Sequence, residues 1–263
     1  TIDGNLTTAE KKRILLNNIY GVDIDVNAVE VTKLSLLLKC MEGETSASIA
    51  HQMSMFNERV LPTLDNNIKS GNSLIDLDYY STQLDFGEEK KIKPFSWQKA
   101  FPNVFKKDGF DAVIGNPPYV RSQNLDESIK EYLVNKYSTS ASYQPDLFAY
   151  FIDKGMKLLC NKGQLGFIIP NGILTNNYYA KSRLNILNTV SVKIIVDLKD
   201  KVFEGASVDT SIFILERESN EKKRNNNEIL IGEYPSKITL KVETPKTNVR
   251  QVEFLEIKDY IFN

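Results

Sequence analysis

The chain has 263 residues and a mass of 29.9 kDa, with 41% hydrophobic and 25% charged residues. Those proportions exclude a disordered or collagen-like chain, and the length suffices to bury roughly 70–75% of the unfolded surface without a metal or disulfide. With Lys+Arg at 33, Asp+Glu at 34 and a pI of about 6.0, any nucleic acid would have to be held by a local patch, not by overall charge.

Lys11–Asn18 reads as the end of a helix, and Ile19–Ile24 as a buried strand that ends in an acid, Asp23. Asp25 suits the N-cap of a helix running from Val26 to about Met41, with an apolar face at Val29, Leu34, Leu37 and Leu38. One helix is expected near Ser48–Asn57 and a short strand at Asn67–Ser70, followed by Gly71-Asn72-Ser73-Leu74. Residues 76–98 read as an insertion, with the charge run Glu88–Lys91 as a solvated loop. Phe110–Gly115 is a clear strand that runs straight into Asn116-Pro117-Pro118-Tyr119.

Helices follow at Glu127–Tyr137, Leu147–Cys160 and Tyr179–Asn188; strands are expected at Gln164–Ile169, Val192–Val196 and Ser207–Leu215. Lys222–Asn227 reads as a polar hairpin tip or loop, with late strands at Glu228–Tyr234 and Ile238–Val242. Strand–helix alternation to about residue 190, then closely spaced strands, predicts an α/β fold. Its sheet is mostly parallel with an antiparallel pair at one edge, and ligands are sought at the carboxyl ends of its strands.

Cys40 and Cys160 are too few for a disulfide scaffold and match no metal spacing. His51 is the single histidine and reads as a surface residue, so neither zinc nor Ser/His/Asp chemistry is expected. No apolar run approaches the roughly 18–20 residues of a membrane span, and no signal peptide is visible. The expectation is a soluble protein of a reducing cytoplasm with no membrane partner. The chain starts Thr1-Ile2-Asp3 with no initiator methionine, which fits a segment excised from something longer.

Three strand ends carry groups with chemistry to offer. Asp23 could accept from both hydroxyls of a ribose, or simply cap the next helix. Asn72 and Ser73 could meet the edge of a bound adenine, or form an ordinary turn. The third is the strong signal. Two prolines after an apolar strand forbid its continuation and remove two backbone donors. What is left is a stiff corner that offers the Asn116 side-chain oxygen and the Pro117 carbonyl as acceptors, with the Tyr119 ring behind. That suits a planar base bearing an exocyclic amine. Such an amine is a poor nucleophile; accepting its N–H bonds concentrates density on nitrogen, so positioning and electrostatics can do the work without a general base.

Phe110–Tyr119 resembles the catalytic motif of amino-methyltransferases that use S-adenosylmethionine, and the Asn-Pro-Pro-Tyr form resembles that of DNA N6-adenine methyltransferases. Gly21-Val22-Asp23-Ile24-Asp25 resembles their ribose-binding motif. Gln144–Phe148, Gly163–Asn171 and Val202–Thr210 follow in the order found in the large methyltransferases of fused restriction–modification and phage-defence systems. The resemblance covers about residues 10–217. It implies a Rossmann-like methyltransferase sheet and methyl transfer from S-adenosylmethionine to N6 of a flipped-out adenine in double-stranded DNA. By position, Asp23 would bind the cofactor ribose, Ile24 would lie on its adenine, and Asn72 with Ser73 would meet the adenine edge. Asn116, Pro117 and Pro118 would form the catalytic corner, Tyr119 would stack on the target base, and Phe203 would close its opposite face. Phe148 and Phe151 read as helix core, and Asp146 as a helix N-cap. Arg121, Lys130, Lys106 and Lys107 are candidates for phosphate contacts.

The family's glycine-rich loop after its first strand has no counterpart, because no G-x-G occurs. The first strand is therefore expected to be missing, and the chain alone to bind S-adenosylmethionine weakly and be inactive. Residues 1–217 would be a partial catalytic domain, and 218–263 extra strands leading toward an absent target-recognition domain; no nuclease motif is evident, though the full-length parent could carry one. Methylation of protein glutamine or RNA amino groups, or a non-catalytic DNA-binding remnant, are the alternatives.

Overall fold

The structure is a computed structural model that describes residues 6–43, 62–81, 89–138, 145–198, 208–234 and 246–262. The helix expected at Ser48–Asn57, the strand expected at Ile238–Val242, His51 and Phe203 lie outside the described residues. The chain divides into two compact units, Thr1–Pro102 and Asn103–Asn263.

In the first unit, helix α1 (Thr8–Asn18) starts at Thr7, whose hydroxyl accepts from the Glu10 N–H at 3.2 Å. Strand β1 (Gly21–Asp23) leads through Asp25 into helix α2 (Val26–Met41), and the Asp25 carboxylate caps that helix by accepting from the Asn27 N–H at 2.8 Å. Strand β2 (Ile68–Ser70) pairs parallel with β1, Gly21 opposite Ile68 and Asp23 opposite Ser70. Buried Asn67 donates to the carbonyls of Leu16 and Ile19, at 2.8 and 2.9 Å. That ties the end of α1 to the start of β2. Leu15, Val29, Cys40, Leu64 and Ile68 form the core. The face expected for α2 is only half right: Val29 is buried and Leu37 packs on the core, but Leu34 and Leu38 are exposed. The helix is apolar on two sides. Val29, Leu36, Leu37 and Cys40 share the inward stripe, whereas Val31, Leu34 and Leu38 share an exposed one at the same helical spacing.

Part of the stretch read as an insertion, residues 76–98, packs into the core of the first unit: Tyr79, Ile92 and Phe95 are buried. Glu89–Ile92 is a helical turn whose Ile92 is buried, and Phe95 and Phe101 are buried with Trp97 between them in ring contact. Of the charge run read as a loop signal, Lys91 is exposed.

In the second unit, six strands lie in the order β3-β4-β6-β5-β7-β8. They are β3 (Phe110–Gly115), β4 (Leu159–Pro170), β5 (Val190–Leu198), β6 (Thr210–Arg217), β7 (Glu228–Tyr234) and β8 (Lys246–Arg250). β3 is parallel to β4 and β5 to β7; β6 runs antiparallel to both its neighbours, and β8 antiparallel to β7. Four strands thus share one direction, as expected, and β7–β8 supplies the antiparallel pair at an edge. The second reversed strand, β6, is inserted between β4 and β5. Helices α3 (Glu127–Lys136), α4 (Leu147–Leu158), α5 (Ala180–Thr189) and α6 (Gln251–Glu256) complete the unit. Phe148, Leu165, Phe167, Leu187, Phe213 and Phe254 are part of its core. Lys222–Asn227 is not a hairpin tip: Glu221–Asn225 is a helical turn capped by Asn220, and β6 and β7 are not paired.

Two buried polar groups fasten this core. Gln251 accepts from the Val192 N–H at 2.9 Å and donates to the carbonyls of Leu187 and Val190, both at 2.8 Å. Arg183, fully buried, donates to the carbonyls of Ile173, Asn176 and Asp259 at 2.7–3.0 Å. Arg183→Met keeps the stem but leaves three carbonyls without their donor. It is expected to cost about 3 kcal/mol or more, read as a lowered urea midpoint.

Tyr150 is buried beside Tyr137, and burial, aided by Tyr178, pushes its phenol from the ordinary 10.0 up to about 12. The folded chain then keeps a proton that the unfolded chain loses, so this group's contribution is complete below about pH 10 and fades as the pH rises toward 12. The unfolding temperature is expected to drop across that window, and to drop less in Tyr150→Phe.

Candidate active site

The corner after β3 is open to solvent at Asn116 and Pro118. β3 carries Ile114 at 86% exposure and ends at Gly115, opposite Phe167 of β4. A side chain at Gly115 would crowd the Phe167 ring at 3.1 Å. Asn116 is exposed at the carboxyl end of the strand, Pro117 is buried and Pro118 exposed. Tyr119 is half-buried, and its hydroxyl donates to the Ile168 carbonyl of β4 at 3.2 Å. That bond sets the direction of the ring, and burial raises the phenol above its ordinary value, so it remains a neutral donor. The Val120 carbonyl in turn accepts from the Leu147 N–H at the start of α4, at 2.9 Å. The corner is therefore fixed at both ends, to β4 and to α4.

The other set of expected residues gathers in the first unit. Because β1 and β2 are parallel and in register, their carboxyl ends bring Asp23 and Ile24 beside Gly71, Asn72 and Ser73. The Gly71 N–H donates to the Asp23 carbonyl at 2.9 Å. Asp23 is exposed; one carboxylate oxygen accepts from the Asp25 N–H at 2.8 Å, which orients the group and leaves its second oxygen for a ligand. Ile24 is 49% exposed, and its carbonyl accepts from the Lys93 ammonium at 2.8 Å. The Asn72 side-chain oxygen accepts from the N–H groups of Leu74 and Ile75, at 3.1 and 3.3 Å, so what it retains for a ligand is its amide donor.

Residues 93–97 brace this turn. The Asn72 N–H donates to the Lys93 carbonyl at 2.7 Å, the Phe95 N–H to the Ile75 carbonyl at 2.8 Å, and the Trp97 indole to the Ser73 carbonyl at 3.2 Å. Sequence reasoning missed them because they fall in the stretch read as insertion. The clustered aromatics Phe95, Trp97 and Phe101 were the available signal for a packed segment.

Other candidates separate. Phe148 is buried core and Phe151 packs against it, as expected. Asp146 stands at the N-cap of α4 but accepts no helix N–H; its carboxylate accepts from the Tyr179 hydroxyl at 2.8 Å. Arg121 is exposed five residues beyond Asn116. Lys130 is paired with Glu127 at 3.1 Å. Lys106 and Lys107 precede β3, and six strand residues, about 20 Å, separate that end from the corner. Nearness in sequence misleads here because a strand carries the chain across the sheet.

Residues 17–203 match the family model of the Eco57I restriction-modification methylase. The type II restriction enzyme and methyltransferase RM.Eco57I of Escherichia coli is 31% identical over 214 residues, 80% of this chain and 20% of its own length. A putative type II restriction enzyme and methyltransferase of Methanocaldococcus jannaschii, RM.MjaORFECS2P, is 34% identical over 170 residues, 65% of this chain and 14% of its own. The chain therefore spans about a fifth or less of these two relatives. Among solved structures, a cryo-EM structure of a DrdV–DNA complex aligns over 93% of this chain and 25% of that chain, with a TM-score of 0.59 and 14% identity. That is a likeness of fold.

Gly71 is the one residue of the turn that the packing dictates: a Cβ there would sit 2.5–2.8 Å from the Phe95 side chain, which is itself wedged against Trp97 and Phe101. Gly71→Ala is expected to destabilise the first unit by about 1–3 kcal/mol, because the ring has no room to retreat. Denaturant unfolding followed by Trp97 fluorescence measures it.

Proposed function

The chain belongs to the Eco57I restriction-modification methylase family, and from that membership we propose that it carries the site for transferring a methyl group from S-adenosylmethionine to N6 of a flipped-out adenine in DNA. The observation that carries this reading is the Asn116-Pro117-Pro118-Tyr119 corner: an exposed amide and a fixed aromatic ring at the carboxyl end of a parallel strand.

The residues of the β1–β2 turn fit the adenosine part of the cofactor. Asp23, one oxygen of which is already oriented by the Asp25 N–H, would accept from ribose hydroxyls with the other, the Asn72 amide would donate to the adenine edge, Ile24 would cover the ring, and Ser73, its carbonyl held by Trp97, would shape the end of the site. When bound, S-adenosylmethionine supplies an electrophilic methyl group. The chain's own part is to make the amine ready. Asn116 Oδ1 and the Pro117 carbonyl accept both N–H bonds of the target amine and localise its lone pair, while Tyr119 stacks on the base and Phe203 closes the other face. A paired adenine cannot be reached in line, so the nucleotide is turned out of the duplex at a cost of a few kcal/mol. Arg121 is placed to meet phosphate.

In this reading the protein is a site-specific, adenine-specific methyltransferase of a restriction–modification or phage-defence enzyme, acting in the cytoplasm. Residues 1–217 belong to its catalytic domain, and 218–263 lead toward a target-recognition domain. The names of the two relatives, each a restriction enzyme and methyltransferase, support this.

The test uses the polypeptide as the cell makes it. Asn116→Ala is expected to lower methyl incorporation into DNA adenine by about a hundredfold or more while S-adenosylmethionine binding by calorimetry stays within about threefold. Asp23→Ala is expected to do the reverse and weaken cofactor binding. Unchanged turnover in Asn116→Ala, or label found in protein or RNA in place of DNA, overturns the assignment.

A further inference from the structure

We propose that Tyr179 and Asp146 form a positioning pair that holds the Asn116–Arg121 corner in place through the start of α4. Asp146 has two uses for its carboxylate. The ordinary one, at the residue preceding a helix, is to accept a free N–H of its own first turn. It makes no such bond, and accepts instead from the hydroxyl of Tyr179 at 2.8 Å. Tyr179 is only 7% exposed, lies just before α5, and its ring packs on Phe148 of α4 with centroids 5.1 Å apart. The helix entry is thus pulled toward α5 instead of closing on itself. The residue after Asp146 is Leu147, whose N–H donates to the Val120 carbonyl at 2.9 Å. The chain of contacts is short: Tyr179 fixes Asp146, Asp146 fixes the direction of Leu147, and Leu147 holds the end of the corner one residue beyond Tyr119.

Desolvation and the neighbouring carboxylate both raise the Tyr179 phenol above its ordinary value, opposed by Arg121, so the hydroxyl is a neutral donor at neutral pH. The pair works by geometry and gives up no proton. Its importance for methyl transfer rests on the function proposed above; the clamp itself does not.

Tyr179→Phe keeps the ring on Phe148 and removes only the hydroxyl. The freed Asp146 can then cap α4, so the helix survives while the corner loses its anchor. In hydrogen exchange on the 263-residue chain, the Leu147 amide is expected to exchange about tenfold faster, while peptides from β4 and β6 are unchanged. Asp146→Asn retains an acceptor oxygen and is expected to restrict that gain to about threefold; Asp146→Leu is expected to match Tyr179→Phe. In methyl transfer by the polypeptide as the cell makes it, Tyr179→Phe is expected to lower kcat about tenfold with KM for S-adenosylmethionine unchanged. Leu147 exchange that does not respond to Tyr179→Phe, or that rises equally across the sheet, overturns the clamp whatever the activity. A response at Leu147 in a protein that transfers no methyl group to DNA upholds the clamp and refutes the proposed function.

Discussion

Two successive residues without an amide hydrogen follow Asn116 at the end of β3, and what surrounds that corner follows from them. A strand that cannot continue its ladder must turn, and a turn made of prolines has little freedom in φ. The parallel register of β3 with β4 places Gly115 opposite Phe167, so the next few residues rise along the end of β4. There the Tyr119 hydroxyl finds the Ile168 carbonyl, and the Val120 carbonyl finds the Leu147 N–H. Asn116 is left exposed, its side-chain oxygen accepting no hydrogen bond among the described residues. Anchorage to β4 and to α4 with Asn116 left exposed is the kind of arrangement that positioning requires.

The turn at the carboxyl ends of β1 and β2 is defined by similar means. Its two loops come from β1 and β2, each only three residues long. So short a parallel pair cannot define the loop ends by itself. The extra definition comes from outside the strands: the Asp25 N–H orients the Asp23 carboxylate, the Lys93 ammonium holds the Ile24 carbonyl, and the Trp97 indole holds the Ser73 carbonyl. Gly71 is needed because Phe95 fills the volume a side chain would take.

Most strands and helices were legible from periodicity, and the corner from its two prolines, because these signals are local. Failures occur where the deciding partner is distant. Nothing local distinguishes Leu34 from Leu37 on α2, since both satisfy helical spacing and only the position of Leu15, Leu64 and Ile68 chooses between them. The charges near residue 90 concealed a packed aromatic segment immediately after them. Asp146 had the sequence context of a helix cap, and a hydroxyl 33 residues later took its carboxylate instead. β6 was recognised as a strand, but its insertion between β4 and β5 is a matter of pairing, which the pattern of apolar residues along one strand does not encode.

Gln251 has a practical consequence for anyone joining this chain to another at an internal position. Its amide is shared among Leu187, Val190, Val192 and Asn227, and Phe254 and Phe262 pack ring against ring on the same core. A splice made at residue 217 would strip β5 of its parallel neighbour β7 and uncover those carbonyls together. A chimaera that is to inherit an intact sheet needs its junction beyond Phe262, so the segment after β6 must travel with the six-stranded sheet.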